Sequence, residues 1–220
     1  QSSARVIRQF ELIEKVKVTT GGTLHQRLLE LEAAGFLQTY VPYGNKRKDS
    51  FYRVVDEYVL FYLRWIEPIK RRGVISAKNY WQTKSKTAAA LAWAGYAFEI
   101  ICLKHIEKIR EALDLEGVAS EVGSWRHIPP KNSLDQGAQI DLLFDRDDGV
   151  ITLCEIKYSD KIFVVDKAYA QKLASKITVF EKNFSTKKKV ELVLITFAGM
   201  RDTFWSEELI VNDVIFEELL

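Results

Sequence analysis

Apolar residues in the first part of the chain recur at helical spacing. Residues 5–16 (RVIRQFELIEKV) follow it, and so do Leu24, Leu28 and Leu31 at i, i+4 and i+7 within TLHQRLLELEAAGF. Thr19-Thr20-Gly21-Gly22 separates the two segments as a turn; Thr23 is placed to cap the second and Gly35 to end it. Two short β-prone runs, 36–41 and 50–55, are joined by PYGNKRKD, a turn-rich, basic hairpin tip. Residues 56–82 are aromatic and mostly helical, and 84–114 form a longer helical stretch. The character then changes. Residues 118–127, 138–145, 150–158 and 190–198 read as strands, separated by Pro129-Pro130, by Asp147-Asp148-Gly149 and by a helix at about 164–183. A short strand and a helical turn close the chain. The pattern predicts an α/β (α+β) protein without internal repeats.

Helix, glycine turn, amphipathic helix and hairpin together resemble a winged helix with a shortened first helix. This reading divides the chain into a winged-helix domain over 1–55, a helical connector over 56–83 and a second domain over 84–220. The tip residues Lys46, Arg47 and Lys48 are either a DNA-contacting wing or a solvated loop end. The second helix offers only His25, Gln26 and Arg27 to base edges, beside Glu30 and Glu32, which argues against sequence-specific readout. Winged helices also serve as protein-contact modules.

Composition narrows the field. With 47% hydrophobic and 28% charged residues, the chain can bury a sizeable core. A net charge of +2 provides no overall attraction for a polyanion, so nucleic-acid binding requires local patches. Lys187-Lys188-Lys189 reads as a solvated loop before a strand. Cys102 and Cys154 lie in apolar surroundings, as buried thiols in a reducing compartment do, and their spacing suits neither a disulfide framework nor zinc. No apolar run approaches membrane-spanning length and no signal peptide is evident, so a cytoplasmic protein without a membrane partner is expected. The chain opens at Gln1 directly on helical sequence, as a fragment of a longer protein does.

The chemistry concentrates in the strand pair AQIDLLFD and VITLCEIKYS. Side chains alternate along a strand, so Ile140, Leu142 and Phe144 share one face and Asp141 takes the other, while Glu155 and Lys157 share a face. The short connection around 146–149 makes a hairpin, which brings Asp141 near Glu155 without fixing the register. Two carboxylates so close repel unless a cation lies between them. A hard divalent ion such as Mg²⁺ suits oxygen ligands, with the Lys157 ammonium beside it to touch a water or a phosphate. Glu99 lies on an apolar helical stripe with Gly95, Cys102, Leu103 and Ile106, and burying a carboxylate there calls for a partner. An arginine would serve it, and Asp with Glu-x-Lys also describes a surface salt bridge. His105 and His127 are assigned no role.

The order helix Glu, hairpin Asp, Glu-x-Lys, helix, strand over about 90–200 resembles the PD-(D/E)XK nuclease superfamily, which has a restriction-endonuclease-like mixed sheet flanked by helices. The residues carrying it are Glu99 in GYAFE, Asp141 in QIDLLF and Glu155-Ile156-Lys157 in LCEIKYS; Gln139-Ile140 stand where the motif's proline would be. The resemblance implies Mg²⁺ or Mn²⁺ on Asp141, Glu155 and the Ile156 backbone carbonyl. It assigns catalytic roles to Lys157, which orients or activates the attacking water, and to Glu99. It makes Gln171 on the following helix an accessory candidate, against the alternative of an exposed polar residue. WAGYAFE, Ser124-Trp125-Arg126, GAQIDLLFDR, LCEIK and VIFEELL further resemble the C-terminal region of the archaeal-type P-loop ATPase family. That implies an N-terminal ATPase domain absent from this chain and nucleic acid, DNA foremost, as partner. The alternative is a nuclease-like module kept for DNA or protein binding without turnover.

If the wing touches phosphates, replacing Lys46, Arg47 and Lys48 together by Ala weakens DNA binding and flattens the log–log salt slope by up to about three units. Titrations of duplex DNA at several salt concentrations measure this, and an unchanged slope removes the tip from the interface.

Overall fold

The computed structural model describes residues 6–8, 22–45, 51–71, 79–130, 132–133 and 135–220. It is a mixed α/β structure, and the chain separates into two compact units, 1–90 and 91–220.

In the first unit, β1 (Val6–Arg8), β2 (Leu37–Tyr40) and β3 (Phe51–Val54) form an antiparallel sheet in the order β1-β3-β2. The strand at Val6–Arg8 corrects the helical reading at those positions: Ile7 lies opposite Tyr52, and pairing with β3 overrides a weak local periodicity. The rest of that predicted helix, and the basic tip at 46–48, lie outside the described residues.

Helix α1 (Gly22–Ala33) starts ahead of Thr23, which is therefore inside the helix and not its cap. Its C-terminus closes as the sequence predicts. Gly35 adopts φ of +76°, its N–H bonds to the Glu32 carbonyl, and the Phe36 N–H bonds to the Leu31 carbonyl. Glu32 then accepts hydrogen bonds from the Thr39 N–H at 2.8 Å and the Thr39 hydroxyl at 3.0 Å, tying the helix to β2. Of the predicted stripe Leu28 is buried and Leu31 is exposed. The two β-prone runs pair antiparallel, with Leu37 opposite Val54 and Tyr40 opposite Phe51. Helices α2 (Glu57–Phe61), α3 (Glu67–Arg71) and α4 (Tyr80–Lys84) follow, with a π-helical turn at Tyr62–Ile66 between the first two.

The second unit is built on a five-stranded mixed sheet. The long helical stretch divides into α5 (Ala88–Lys104) and α6 (Ile106–Ala112), which meet at 78° around His105. Then come β4 (Ser120–His127), β5 (Ala138–Arg146), β6 (Val150–Lys157), β7 (Phe163–Val164), α7 (Lys167–Asn183), β8 (Lys189–Thr196), β9 (Met200–Arg201), α8 (Phe204–Glu207) and β10 (Asn212–Ile215). The main sheet runs β10-β8-β6-β5-β4, and β7 pairs with β9 in parallel. Gly149 at φ of +88° turns β5 into β6, so these strands pair antiparallel. β6 and β8 are parallel, which requires a crossover, and α7 makes it. The Asp166 carboxylate caps α7 by accepting the Tyr169 N–H at 2.7 Å. The small elements β7, β9 and α8 are too short for a periodic signal and were not visible in the sequence.

β6 is central, paired on both sides, and its residues 151–154 are buried. On one face of the sheet Leu142, Phe144, Cys154, Val193 and Ile195 pack with Phe98, Cys102 and Ile109 of α5 and α6. Alternation turns Leu143, Leu153 and Leu194 to the other face, where Leu194 packs with Val165 and Ala170. No single helix among the described residues is long and apolar enough to cross a membrane.

Phe180 of α7 is fully buried and meets Trp125 edge-on at 5.0 Å. Phe180→Ala should cost about 3–5 kcal/mol, the range for a buried aromatic truncated to Ala. Exposed Ile162→Ala should stay within about 0.5 kcal/mol. Urea unfolding followed by circular dichroism measures both.

Candidate functional site

The β5–β6 ladder runs from Asp145 opposite Ile151 to Leu142 opposite Cys154. One step further the register sets Asp141 against Glu155, at the point where the ladder stops. There the Asp141 carboxylate replaces strand pairing: Oδ2 accepts the Ile156 N–H at 3.2 Å, and Oδ1 accepts the Gln139 amide at 3.3 Å. Glu155 lies on the sheet face crossed by α7. Its Oε1 accepts the Tyr169 hydroxyl at 3.2 Å and its Oε2 pairs with the Lys176 ammonium at 2.5 Å.

Glu99 arrives from the other side. Phe98 anchors α5 through edge contacts with Tyr158, Phe197 and Phe216, with ring centroids at 6.2, 6.0 and 6.0 Å. At Gly95 the helix passes Tyr158 in ordinary van der Waals range: a Cβ there would lie 3.9 Å from Tyr158 Cβ. Glu99, next to Phe98, is half-buried, and its charge acts on both Asp141 and Cys102. The three predicted carboxylates therefore share an electrostatic neighbourhood, although the helix carrying Glu99 packs on the face opposite α7.

The electrostatics follow from this crowding. Burial, then the charges of Glu155 and Glu99, push the Asp141 carboxyl up from 3.8 to about 7, while Lys176 and the Ile156 N–H oppose the shift. Burial and the Glu155 charge also raise Tyr169, so its hydroxyl stays protonated and donates. Cys102 and Cys154 are both free and buried, and burial holds their thiols protonated, in agreement with the sequence reading.

Lys157 is half-buried beside Glu155, its ammonium 5.5 Å from the Tyr169 ring centre and 5.8 Å from that of Phe163. Gln171 is exposed, about 200° around α7 from Tyr169 at 100° per residue. The geometry instead brings in Gln139, Tyr169 and Lys176. Lys176 had a signal in the sequence: it lies on the helical stripe of Leu173 and Phe180, three residues after one and four before the other, where a lysine needs a partner. Of the lysine run before β8, Lys187 and Lys189 are exposed, as expected, and only Lys188 departs from the solvated reading. Lys188 pairs with Asp145 at 2.6 Å and with the Arg146 carbonyl, and Lys189 opens β8 opposite Val150, at the far end of β6 from Glu155.

No protein-family profile, curated protein or solved structure matches this chain.

As donors, the carboxylates of Asp141 and Glu155 and the Ile156 carbonyl suit a hard cation such as Mg²⁺ or Mn²⁺. Among the described residues, however, no three His, Cys, Asp or Glu side chains stand in a ready metal-holding group. The cation held against Glu155 is Lys176.

The raised Asp141 carboxyl makes stability depend on pH. Between pH 3.8 and about 7 the folded state keeps a proton that the unfolded chain has released. This contribution is complete below 3.8 and lost as pH rises through 7. Asp141→Asn should remove that part of the pH dependence and stabilise the protein at pH 8 by about 1–3 kcal/mol. Urea unfolding of both proteins from pH 4 to 8 gives the difference curve.

Proposed function

We propose that residues 84–220 form a Mg²⁺- or Mn²⁺-dependent PD-(D/E)XK-type nuclease domain with a restriction-endonuclease-like sheet, acting on phosphodiester bonds in nucleic acid, DNA foremost. The observation that carries this reading is the meeting of Asp141 and Glu155 at the end of the β5–β6 ladder, within electrostatic reach of Glu99 and beside Lys157. Asp141, Glu155 and the Ile156 carbonyl would hold the ion, whose contribution is Lewis acidity and a more acidic bound water. Lys157 supplies a cation next to that position for a water or a scissile phosphate. Glu99 adds negative charge from α5. Gln171, exposed on the far side of α7, has the weaker claim to a part.

The first 55 residues are proposed to be a winged helix. What supports this is the antiparallel order β1-β3-β2 with α1 preceding the β2–β3 hairpin. The wing tip Lys46, Arg47 and Lys48 would contact phosphates. We further propose that the chain is the C-terminal region of an archaeal-type P-loop ATPase that works in the cytoplasm. A second reading has one observation in its favour. The Glu155–Lys176 ion pair balances that carboxylate without any metal, as suits a silent DNA- or protein-binding module.

Calorimetry and cleavage assays separate the two. Asp141→Ala should abolish Mg²⁺ binding. Lys157→Ala should bind the ion as the parent does and lose about 10²–10⁴ in cleavage rate, the span for a positioned proton-transfer group. Cleavage is assayed on single- and double-stranded DNA with Mg²⁺ and Mn²⁺, with the ATPase region restored. Metal binding without cleavage under all these conditions favours the binding module.

A further inference from the structure

Glu155 is held on both oxygens. Its side chain is 12% exposed, and both oxygens have donors, the Tyr169 hydroxyl on one and the Lys176 ammonium on the other. The two donors differ in what they can surrender. A tyrosine hydroxyl fixed by its ring has little freedom to leave. A lysine ammonium on a four-carbon stem swings away when a stronger cation arrives. The Lys176 side chain is 29% exposed, so an aqueous route for that movement exists. Its charge also acts on Asp141, the second proposed ligand. Lys157 does not share this role: it rests over the rings of Phe163 and Tyr169, and among the described residues it forms no ion pair.

An ammonium 2.5 Å from a carboxylate oxygen would repel a divalent ion bound to the same oxygen and compete with it for the same lone pairs. We propose that Lys176 is the resident counter-ion of the carboxylate site, holding Glu155 in a metal-free arrangement until a divalent cation displaces its ammonium. Tyr169 keeps Glu155 oriented during the exchange. The inference rests on the metal reading above and specifies how that site is kept before it is loaded.

The test is calorimetric titration of the full chain with Ca²⁺, which reports binding without turnover, at pH 8 and low salt. Lys176→Met should bind Ca²⁺ about tenfold more tightly than the parent, a coupling within the usual range between two sites. Lys176→Arg, which keeps the charge, should bind as weakly as the parent. Lys176→Gln is measured in parallel in case Met impairs folding, and the Ca²⁺-induced rise in Tm should follow the same order. Equal or weaker affinity in both neutral variants overturns the inference and leaves the metal reading standing. No Ca²⁺ binding in the parent or in either neutral variant overturns both.

Discussion

Asp141, Glu155 and Glu99 bring three carboxyl groups to the end of a hairpin otherwise filled with Leu, Ile and Phe. Removing a carboxylate from water is costly unless donors or cations replace the lost hydration, and like charges add to the cost. The second unit meets this demand with an interrupted ladder that frees the Ile156 N–H for Asp141, with Gln139 beside it, and with a crossover helix that delivers a hydroxyl and an ammonium to Glu155. The remaining imbalance appears as the raised proton affinity of Asp141.

The fold and the site are tied by the topology of β6. Antiparallel pairing with β5 places Asp141 against Glu155, and parallel pairing with β8 forces a helix across the face that Glu155 occupies. That helix is held by Leu173 and Phe180, so its two polar site residues, Tyr169 and Lys176, lie along a packed stripe while each keeps partial access to solvent. The Phe98 aromatic cluster does the same for Glu99. Apolar packing thus sets the positions of charged groups, and the charges then set what the site can hold.

The first unit follows a simpler logic. Its helix ends where Gly35 permits a left-handed residue, and Glu32 uses both oxygens to lock the next strand to that end. These are contacts between sequence neighbours: the Gly35 stop was legible in the sequence, and the Glu32–Thr39 bonds were not.

How much could be read beforehand depended on the range of the interaction. Period-two alternation in QIDLLF and TLCEIK, with Asp147-Asp148-Gly149 between them, by itself determined the hairpin and therefore the nearness of Asp141 and Glu155. The C-terminal end of α7, the buried thiols and the glycine stop of α1 were likewise local or compositional facts. Val6–Arg8 was misread because a three-residue strand exists only through its partner β3, 45 residues away by register. Lys188 was misread as solvated because Asp145 is remote in sequence and close only across the folded sheet. Only the tertiary structure decided which cation faces the carboxylates. Glu-x-Lys points to Lys157, two residues from Glu155, yet the ammonium on Glu155 belongs to Lys176, 21 residues on. Rotation along a helix and its docking angle on a sheet select that side chain, and both are fixed by burying Leu173 and Phe180, a long-range packing constraint that no local spacing encodes.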